Sequence, residues 1–571
     1  MSQTDHLDET TDATTDETSA PGRGVRHGLL GAAAMIAVLT VASRVLGMVR
    51  QLTQAGTVGA GNIGDAYNRA NTMSNLLFEI VVGGTLAVAL IPLIAGPIAH
   101  REQELTRRII AGTMGWVLMI LVPMGLLMAA TAGPIAHLLN LNPEGAEAVD
   151  VASLREMTRF FLLVFAVQVP LYGLTVLANA VLQAHRRFFW PAFIPLLSSL
   201  VVIGTYLWYG QLSHGVRSNP DRLDAGALEV LAWGTTAGVV AMCVPVLVAV
   251  ARIGYLPAPR LSFPEGVGAR LRSLMVAGVA GVAVGEMLML VVVLATSAGG
   301  QEGAYTVWIW TQQVYILPVA VFAIPLLTSA FPRLSAWAQD EARDRFAALS
   351  ALTARAVVVA TGAGAGVLAA AAPAVAVVFG VLESVQDRTG QVDVAGMMTI
   401  ALTWTVVGMP GHALMYQGQR TLFALQRARA ALVVGSVGWG LAGVLMIAGL
   451  MVDPPVQLIT MLSASYALGV LVGGVVAAVV VARVVGRPAV AGLVRTSGAV
   501  VLGAVVAAAA GRGVADSVVM LLGKGIWQGV AAGGGAALVA LVVMAGVLYV
   551  GDRAGVQDLV RLVRDRRRRS A

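Results

Sequence analysis

Long apolar runs alternate with short connections along most of this chain. A helix needs roughly 20 mostly apolar residues to cross the hydrocarbon core of a bilayer. On that criterion the runs at 29–56, 65–96, 109–131, 155–182, 191–209, 229–251, 271–297, 303–331, 351–380, 394–416, 430–451, 456–482, 494–511 and 525–550 predict an all-α polytopic membrane protein of about fourteen spans. Several runs exceed the minimum length, which implies tilt or protrusion.

Two landmarks recur. The second span ends in Ile91-Pro92-Leu93 and the eighth in Phe331-Pro332-Arg333-Leu334, with the prolines 240 residues apart. Leu182-Gln183 closes the fourth span and Leu425-Gln426 follows the tenth, 243 residues on. Each pair sits six helices apart, an even number, so the copies share one orientation in the membrane. This predicts two parallel six-helix lobes around a central cavity, as in transporters built from repeats, with two helices added. The expected segments are an N-lobe at 29–251, a C-lobe at 271–482 and a final pair at 494–550. They are flanked by tails at 1–28 and 551–571.

Charge orients the chain. With the N-terminus placed in the cytoplasm, the cytoplasmic segments hold 27 arginines and the external ones only Arg217, Arg222, Arg388, Arg512 and Lys524. Such asymmetry sets topology, and it places both termini in the cytoplasm. It also accounts for the net charge of +7: these arginines meet anionic lipid headgroups, so no nucleic-acid partner is expected. The opening MSQTDHLDETTDATTDETSA lacks the basic start of a signal peptide and predicts a disordered acidic tail. The closing RLVRDRRRRS predicts a topology anchor, with a lipid- or partner-docking helix as the alternative.

Composition agrees. The chain is 57% hydrophobic and 12% charged, about half the charged fraction of soluble domains. One cysteine, Cys243, excludes a disulfide framework or thiolate metal cluster. There is no GxxxxGK[ST], HExxH or GxSxG motif, so no enzyme, cofactor or metal site is expected.

Polar groups inside spans cost free energy and usually face a cavity or a partner. They concentrate in the first two spans. On a helical projection Thr40, Ser43, Arg44, Arg50, Gln51 and Gln54 share about a third of the circumference. In the second span Asp65, Asn68, Arg69, Thr72, Asn75 and Glu79 occupy a similarly narrow face. Two consecutive stripes imply a wet cavity that admits a charged ligand; the alternative is a network of charges that neutralise one another. Asp65 either lines that cavity or caps its helix, and Arg69 is placed to pair with it at i+4. Glu286, mid-way along span 7, either carries a coupling proton or cation or makes a structural hydrogen bond. Arg159, near the outer end of span 4, either contacts ligand or snorkels outward.

Residues 43–96 resemble the opening of the MurJ/MviN lipid II flippase family, within the multidrug/oligosaccharidyl-lipid/polysaccharide exporter superfamily. The resemblance rests on Ser43-Arg44-Val45-Leu46-Gly47, Arg50, Gly59-Ala60-Gly61, Asp65-Ala66, Asn75-Leu76-Leu77 and Ile91-Pro92. The form AYNxAN…NLLxE looks most like actinobacterial members, and 182–204 resembles the family's turn after helix 4. The resemblance implies translocation of lipid II across the bacterial cytoplasmic membrane, a central cavity between lobes, and a groove for the lipid tail near spans 13 and 14. It implies that Arg44 and Arg50 bind the pyrophosphate, which guanidinium groups grip bidentately, with Asp65, Asn75 and Gln313 at family cavity positions; the polar stripe adds Arg69 and Glu79 as candidates. Coupling to membrane potential, H⁺ or Na⁺ is expected, with Glu286 as its candidate, as is association with a cell-wall synthesis complex. The sequence departs from the family at Phe78, where many members have a cavity arginine, and at Gly83 and Ser74. Gln312-Gln313 replace an Asp-Arg pair. The cavity is thus expected to be less basic.

Overall fold

A computed structural model describes residues 23–81, 85–141, 151–299, 301–384, 392–452, 457–523 and 525–553. Gly83 and most of both tails lie outside the described residues. The first six expected spans comprise α1 (Arg23–Thr57), α2 (Asn62–Val81) with α3 (Thr85–Ala99), α4 (Gln103–Ala130), α6 (Val151–Ala166) with α7 (Gln168–Ala184), α8 (Phe189–Leu212) and α9 (Ala225–Arg252); α5 (Ala132–Leu139) is a short connector absent from the sequence expectation. The next six comprise α10 (Val267–Gly299), α11 (Ala304–Pro318) with α12 (Ile324–Gln339), α13 (Arg343–Ser384), α14 (Val394–Thr405) with α15 (Met409–Ala424), α16 (Ala428–Gly449) and α17 (Leu458–Val484). The last two are α18 (Leu493–Leu522) and α19 (Ile526–Gly551).

Among the described residues, twelve helices are long and apolar enough to cross a membrane. The first two expected spans are outside that number. In α2 the reason is visible: Asp65, Arg69 and Glu79 fall within twenty residues, so the stripe that makes the helix interesting lowers its apolarity. Helix ends also move. The thirteenth run, expected to stop at 511, continues as helix to Leu522 and carries Arg512 with it. The tenth continues to Ala424. Large apolar side chains cover the outside: Val494 is 88% exposed, Met520 84% and Trp527 81%. In water such a surface would aggregate; in lipid it is solvated. The chain is a multi-pass membrane protein.

Proline interrupts the fourth and tenth spans at matching places. Pro170 cannot donate to the Ala166 carbonyl, and α6 gives way to α7 at Val167. Pro410, 240 residues later, cannot donate to the Val406 carbonyl, which accepts from the Met409 N–H instead as a 3₁₀ turn fills Val406–Gly408. The helix ends repeat with the same spacing. After span 2, Arg101 takes φ 58° while Glu102 N–H donates to the Pro97 carbonyl; after span 8, Glu341 takes φ 52° while Ala342 N–H donates to Trp337. Arg186 with Arg187 N–H to Leu182, and Gln426 with Arg427 N–H to Leu422, form the second such pair. These are Schellman caps, in which a left-handed residue lets the chain satisfy the last helical carbonyls. They align Leu182 with Leu422, so the Leu182/Leu425 match was three residues out of register, because the short Leu-Gln string was read without the turn geometry.

Within the first six spans one apolar core joins α3, α4, α7, α8 and α9. A larger core runs from α2 and α6 across to α10, α11, α13 and α17. The added pair α18–α19 packs on α13 through small residues such as Ala370, Ala507, Ala515, Ala536 and Ala540, which permit close backbone approach.

Candidate functional site

The polar stripes of α1 and α2 divide along their length. Nearest the α1–α2 turn, side chains reach across to the second set of six spans. Gly59 in that turn has φ 77°, a conformation glycine adopts freely. A β-carbon there would lie 2.5 Å from Arg217 Nη1 and 2.7 Å from Glu383 Oε1, which explains physically why this turn carries glycine. The bare backbone lets a buried ion pair close over it: Arg217 Nη1 lies 2.6 Å from Glu383 Oε1. Arg217, in the α8–α9 connection, also donates to the Ala55 and Gly56 carbonyls at 3.2 Å each. The Glu383 carboxylate, at the end of α13, accepts the Ala60 N–H at 3.1–3.2 Å. The sequence pattern placed Arg217 in a connection and left Glu383 unremarked, because the two are 166 positions apart.

One turn into α2 the contacts continue. Asp65 Oδ1 accepts from Thr306 N–H at 2.9 Å and from Thr306 Oγ1 at 2.6 Å. Asn68 Nδ2 donates to Thr306 Oγ1 at 3.0 Å. Arg69 pairs with Asp65 at 3.3 Å, as its i+4 position predicts, and donates to the Leu139 and Thr296 carbonyls. Gln54 donates to Asn68 and accepts from Trp310 Nε1, and Tyr305 Oη donates to Thr72 at 2.7 Å. Asp65 therefore serves α11 rather than capping its own helix. Its charge is held by Arg69 and two donors from one threonine, which offsets burial of the carboxylate.

At the opposite end the two sets meet through apolar surface: Ala89 and Leu93 of α3 against Leu271 of α10, with Phe263, Val267 and Met275 beside them. Between the polar and apolar layers lies the second group of sequence candidates. Glu79 is fourteen residues past Asp65, about 21 Å along the helix, and Glu286 is ten before Thr296, about 15 Å. These two acids stand within electrostatic reach of each other across the junction. Arg50 is half-buried and lies near the Tyr67, Tyr172 and Tyr206 hydroxyls. Tyr67 is itself hydrogen bonded to Tyr206 and Thr235. Arg44 and Gln313 are exposed; Asn75, Glu79, Glu286 and Gln312 are half-buried. Among the described residues, Arg44, Arg50, Asn75, Glu79 and Glu286 form no hydrogen bond or ion pair. Phe78, facing this region, stacks on Tyr172 at 5.1 Å. Ser74 is satisfied by the Asn71 carbonyl. Arg159 lies apart, exposed and paired with Glu156.

Chemically, the first group is a closure between two halves of the molecule in which each buried charge has its counter-charge. The second offers guanidinium, amide and carboxyl groups with unused capacity, as a charged ligand requires. No group of three or more His, Cys, Asp or Glu side chains able to hold a metal occurs among the described residues.

The relatives fit this arrangement. The family model described as "Lipid II flippase MurJ" matches residues 54–520. A Vibrio cholerae protein named "Probable lipid II flippase MurJ" is 26% identical over 332 residues, covering 57% of this chain and 60% of that protein. A Burkholderia cenocepacia protein named "Lipid II flippase MurJ" is 25% identical over 322 residues, covering 54% and 58%. The matched stretch thus spans no more than about three-fifths of either relative. A solved structure described as a lipid II flippase MurJ in an inward closed conformation superposes with TM-score 0.67 over 90% of this chain and 99% of that one, at 14% identity. An inward-facing multidrug resistance MATE family transporter of the MOP superfamily gives TM-score 0.60 over 80% and 96%, at 13% identity. At such identities the superpositions establish a shared fold. With the family model covering most of its length, the chain belongs to the MurJ family.

Proposed function

We propose that this protein is a transporter, not an enzyme, that moves the lipid-linked peptidoglycan precursor lipid II from the inner to the outer leaflet of the bacterial cytoplasmic membrane, in cell-wall synthesis. The observation that carries the reading is the division of the polar stripes. Asp65, Asn68, Arg69 and Gln54 are consumed in closing one end. Arg44 and Arg50, on the same face of α1, are left unpaired between the closure and the apolar contact opposite. Two arginines suit a pyrophosphate, which cannot enter hydrocarbon without charge-assisted partners. With both termini in the cytoplasm, as the arginine distribution supports, the closed end faces outward. Cargo then enters from within, and opening the polar layer releases it. Asn75, Glu79 and Gln313 contact the headgroup, and α18–α19 guide the polyprenyl tail.

Energy comes from membrane potential, H⁺ or Na⁺, with Glu286 the coupling group; membrane lipids and a cell-wall synthesis complex are its surroundings. The decisive test is complementation in cells depleted of their own flippase. Arg44→Ala and Arg50→Ala should each abolish growth at wild-type protein levels, and full growth of the double variant would sink the site assignment.

A second reading, export of another polyprenyl-linked glycan or amphipathic compound, draws on Phe78 and Gln313, which make the interior less basic than the family pattern. Binding of lipid II against other polyprenyl pyrophosphates discriminates the two. A non-transporting scaffold would tolerate loss of both arginines.

A further inference from the structure

The extension of α18 beyond 511 puts a charge where the sequence pattern placed a loop. Arg512 lies nineteen residues past Leu493, about 28 Å along the helix, close to the roughly 30 Å thickness of bilayer hydrocarbon. It therefore stands at a hydrocarbon–headgroup boundary. It lines a cavity of about 460 Å³ together with Pro373 of α13, Thr399, Thr403 and Trp404 of α14, and Asp516 of α18.

Arg512 is half-buried, and its Nη2 donates to Thr403 Oγ1 at 2.8 Å. The Thr399 and Thr403 hydroxyls each donate to a carbonyl one turn back, at 2.7 Å, so toward the cavity they act as acceptors. A guanidinium has five donors, and one threonine leaves most of them for another acceptor. Asp516 sits at i+4 from Arg512, where helical neighbours of opposite charge ordinarily meet. Yet the described ion pairs do not include this one: Arg512 has turned toward α14, and Asp516 is exposed. The cavity consequently carries a cation at its deeper end and a carboxylate about 6 Å farther along the helix axis. Trp404, 47% exposed at the wall, is the residue type that favours this depth. Toward the membrane centre, Leu502, Val505 and Val506 of α18 present exposed apolar surface.

We propose that this cavity, on the α14 side of α18, is a resident phospholipid site selective for a zwitterionic headgroup with a protonated primary amine. The phosphate of such a lipid lies next to the hydrocarbon and its ammonium farther out. That order matches Arg512 below and Asp516 above, with acyl chains on the α18 surface. A glycerol headgroup offers Asp516 only neutral hydroxyl donors and leaves its charge unmatched. A trimethylated amine cannot donate a hydrogen bond to Asp516.

The experiment is native mass spectrometry of the full chain, equilibrated with equal amounts of phosphatidylethanolamine, phosphatidylcholine and phosphatidylglycerol bearing identical acyl chains. A single phosphatidylethanolamine adduct is expected, favoured about tenfold over phosphatidylglycerol, the effect of one charge-assisted contact. Asp516→Asn should keep lipid binding and lose the preference. Arg512→Gln, verified as monodisperse, should lose the adduct. Equal retention of phosphatidylglycerol by the unaltered protein, or an unchanged preference in Asp516→Asn, overturns the proposal without reliance on the Arg512 variant. A persistent adduct in Arg512→Gln does the same. Displacement by glycerophosphoethanolamine at matched concentration would assign the site to a soluble ligand and overturn the lipid.

Discussion

Replacing Glu383 by Gln removes one charge from the closure while leaving an oxygen for the Ala60 amide. In the closed form Arg217 and Glu383 side chains are 1% and 10% exposed and 2.6 Å apart, so their attraction is little screened. When the two sets of helices part, both groups hydrate, and the pair favours closure only by the difference. A hydrogen bond to a charged group contributes about 1.5–3 kcal/mol net and a neutral one about 0.5–1.5. Glu383→Gln should therefore weaken closure by about 1–2 kcal/mol, a factor of roughly 5–30 in the closed-to-open ratio. Glu383→Ala leaves Arg217 buried without its partner, a penalty of about 3–5 kcal/mol, and should shift the ratio much further. Spin labels at Arg222→Cys and Ser384→Cys, both exposed, in a Cys243→Ala background, report the distance across this end by double electron–electron resonance. The expected outcome is a second, longer distance population, small in Glu383→Gln and dominant in Glu383→Ala. Distance distributions unchanged in both variants would refute the reasoning. So would purely additive effects of Glu383→Gln and Arg217→Gln, since a coupled pair must show an interaction energy.

Other outcomes follow from the same geometry. Gly59→Ala should lower the melting temperature in detergent, since φ 77° costs a side chain about 1–2 kcal/mol and the new methyl meets Arg217; Gly47→Ala, with open space around it, is the matched control and should be harmless. Asp65→Asn should destabilise by about 1–2 kcal/mol, since the amide keeps an acceptor oxygen but no charge opposite the buried Arg69, as in Glu383→Gln. Adding Arg69→Gln should recover much of that loss, whereas an Asp65→Asn protein with wild-type melting and no transport would assign Asp65 to cargo rather than closure. If Glu286 couples an ion, Glu286→Gln should flatten the pH or Na⁺ dependence of reconstituted transport, and an unaltered dependence eliminates it.

The apolar runs, the arginine asymmetry and the stripes on the first two spans were legible in the chain because each is a local pattern. Hydrophobic length, charge at helix ends and a 3.6-residue period need no partner to be seen. The 240-residue repeat was legible at Pro92 and Pro332, which sit at matching places inside α3 and α12, and misread at Leu425, where register depends on Gln426 turning left-handed. The i+4 placement of Arg69 on Asp65 was also available. What the stripes do was not. Whether Asp65 meets water, cargo or Thr306 is settled 241 positions away, and Arg217 finds Glu383 across 166. Helical period states that polar residues share a face, but not what that face meets. Only the packing of one set of helices against the other separated the groups spent on closure from Arg44, Arg50, Glu79 and Glu286, because burial and hydrogen-bond satisfaction are properties of two surfaces brought together, not of either alone.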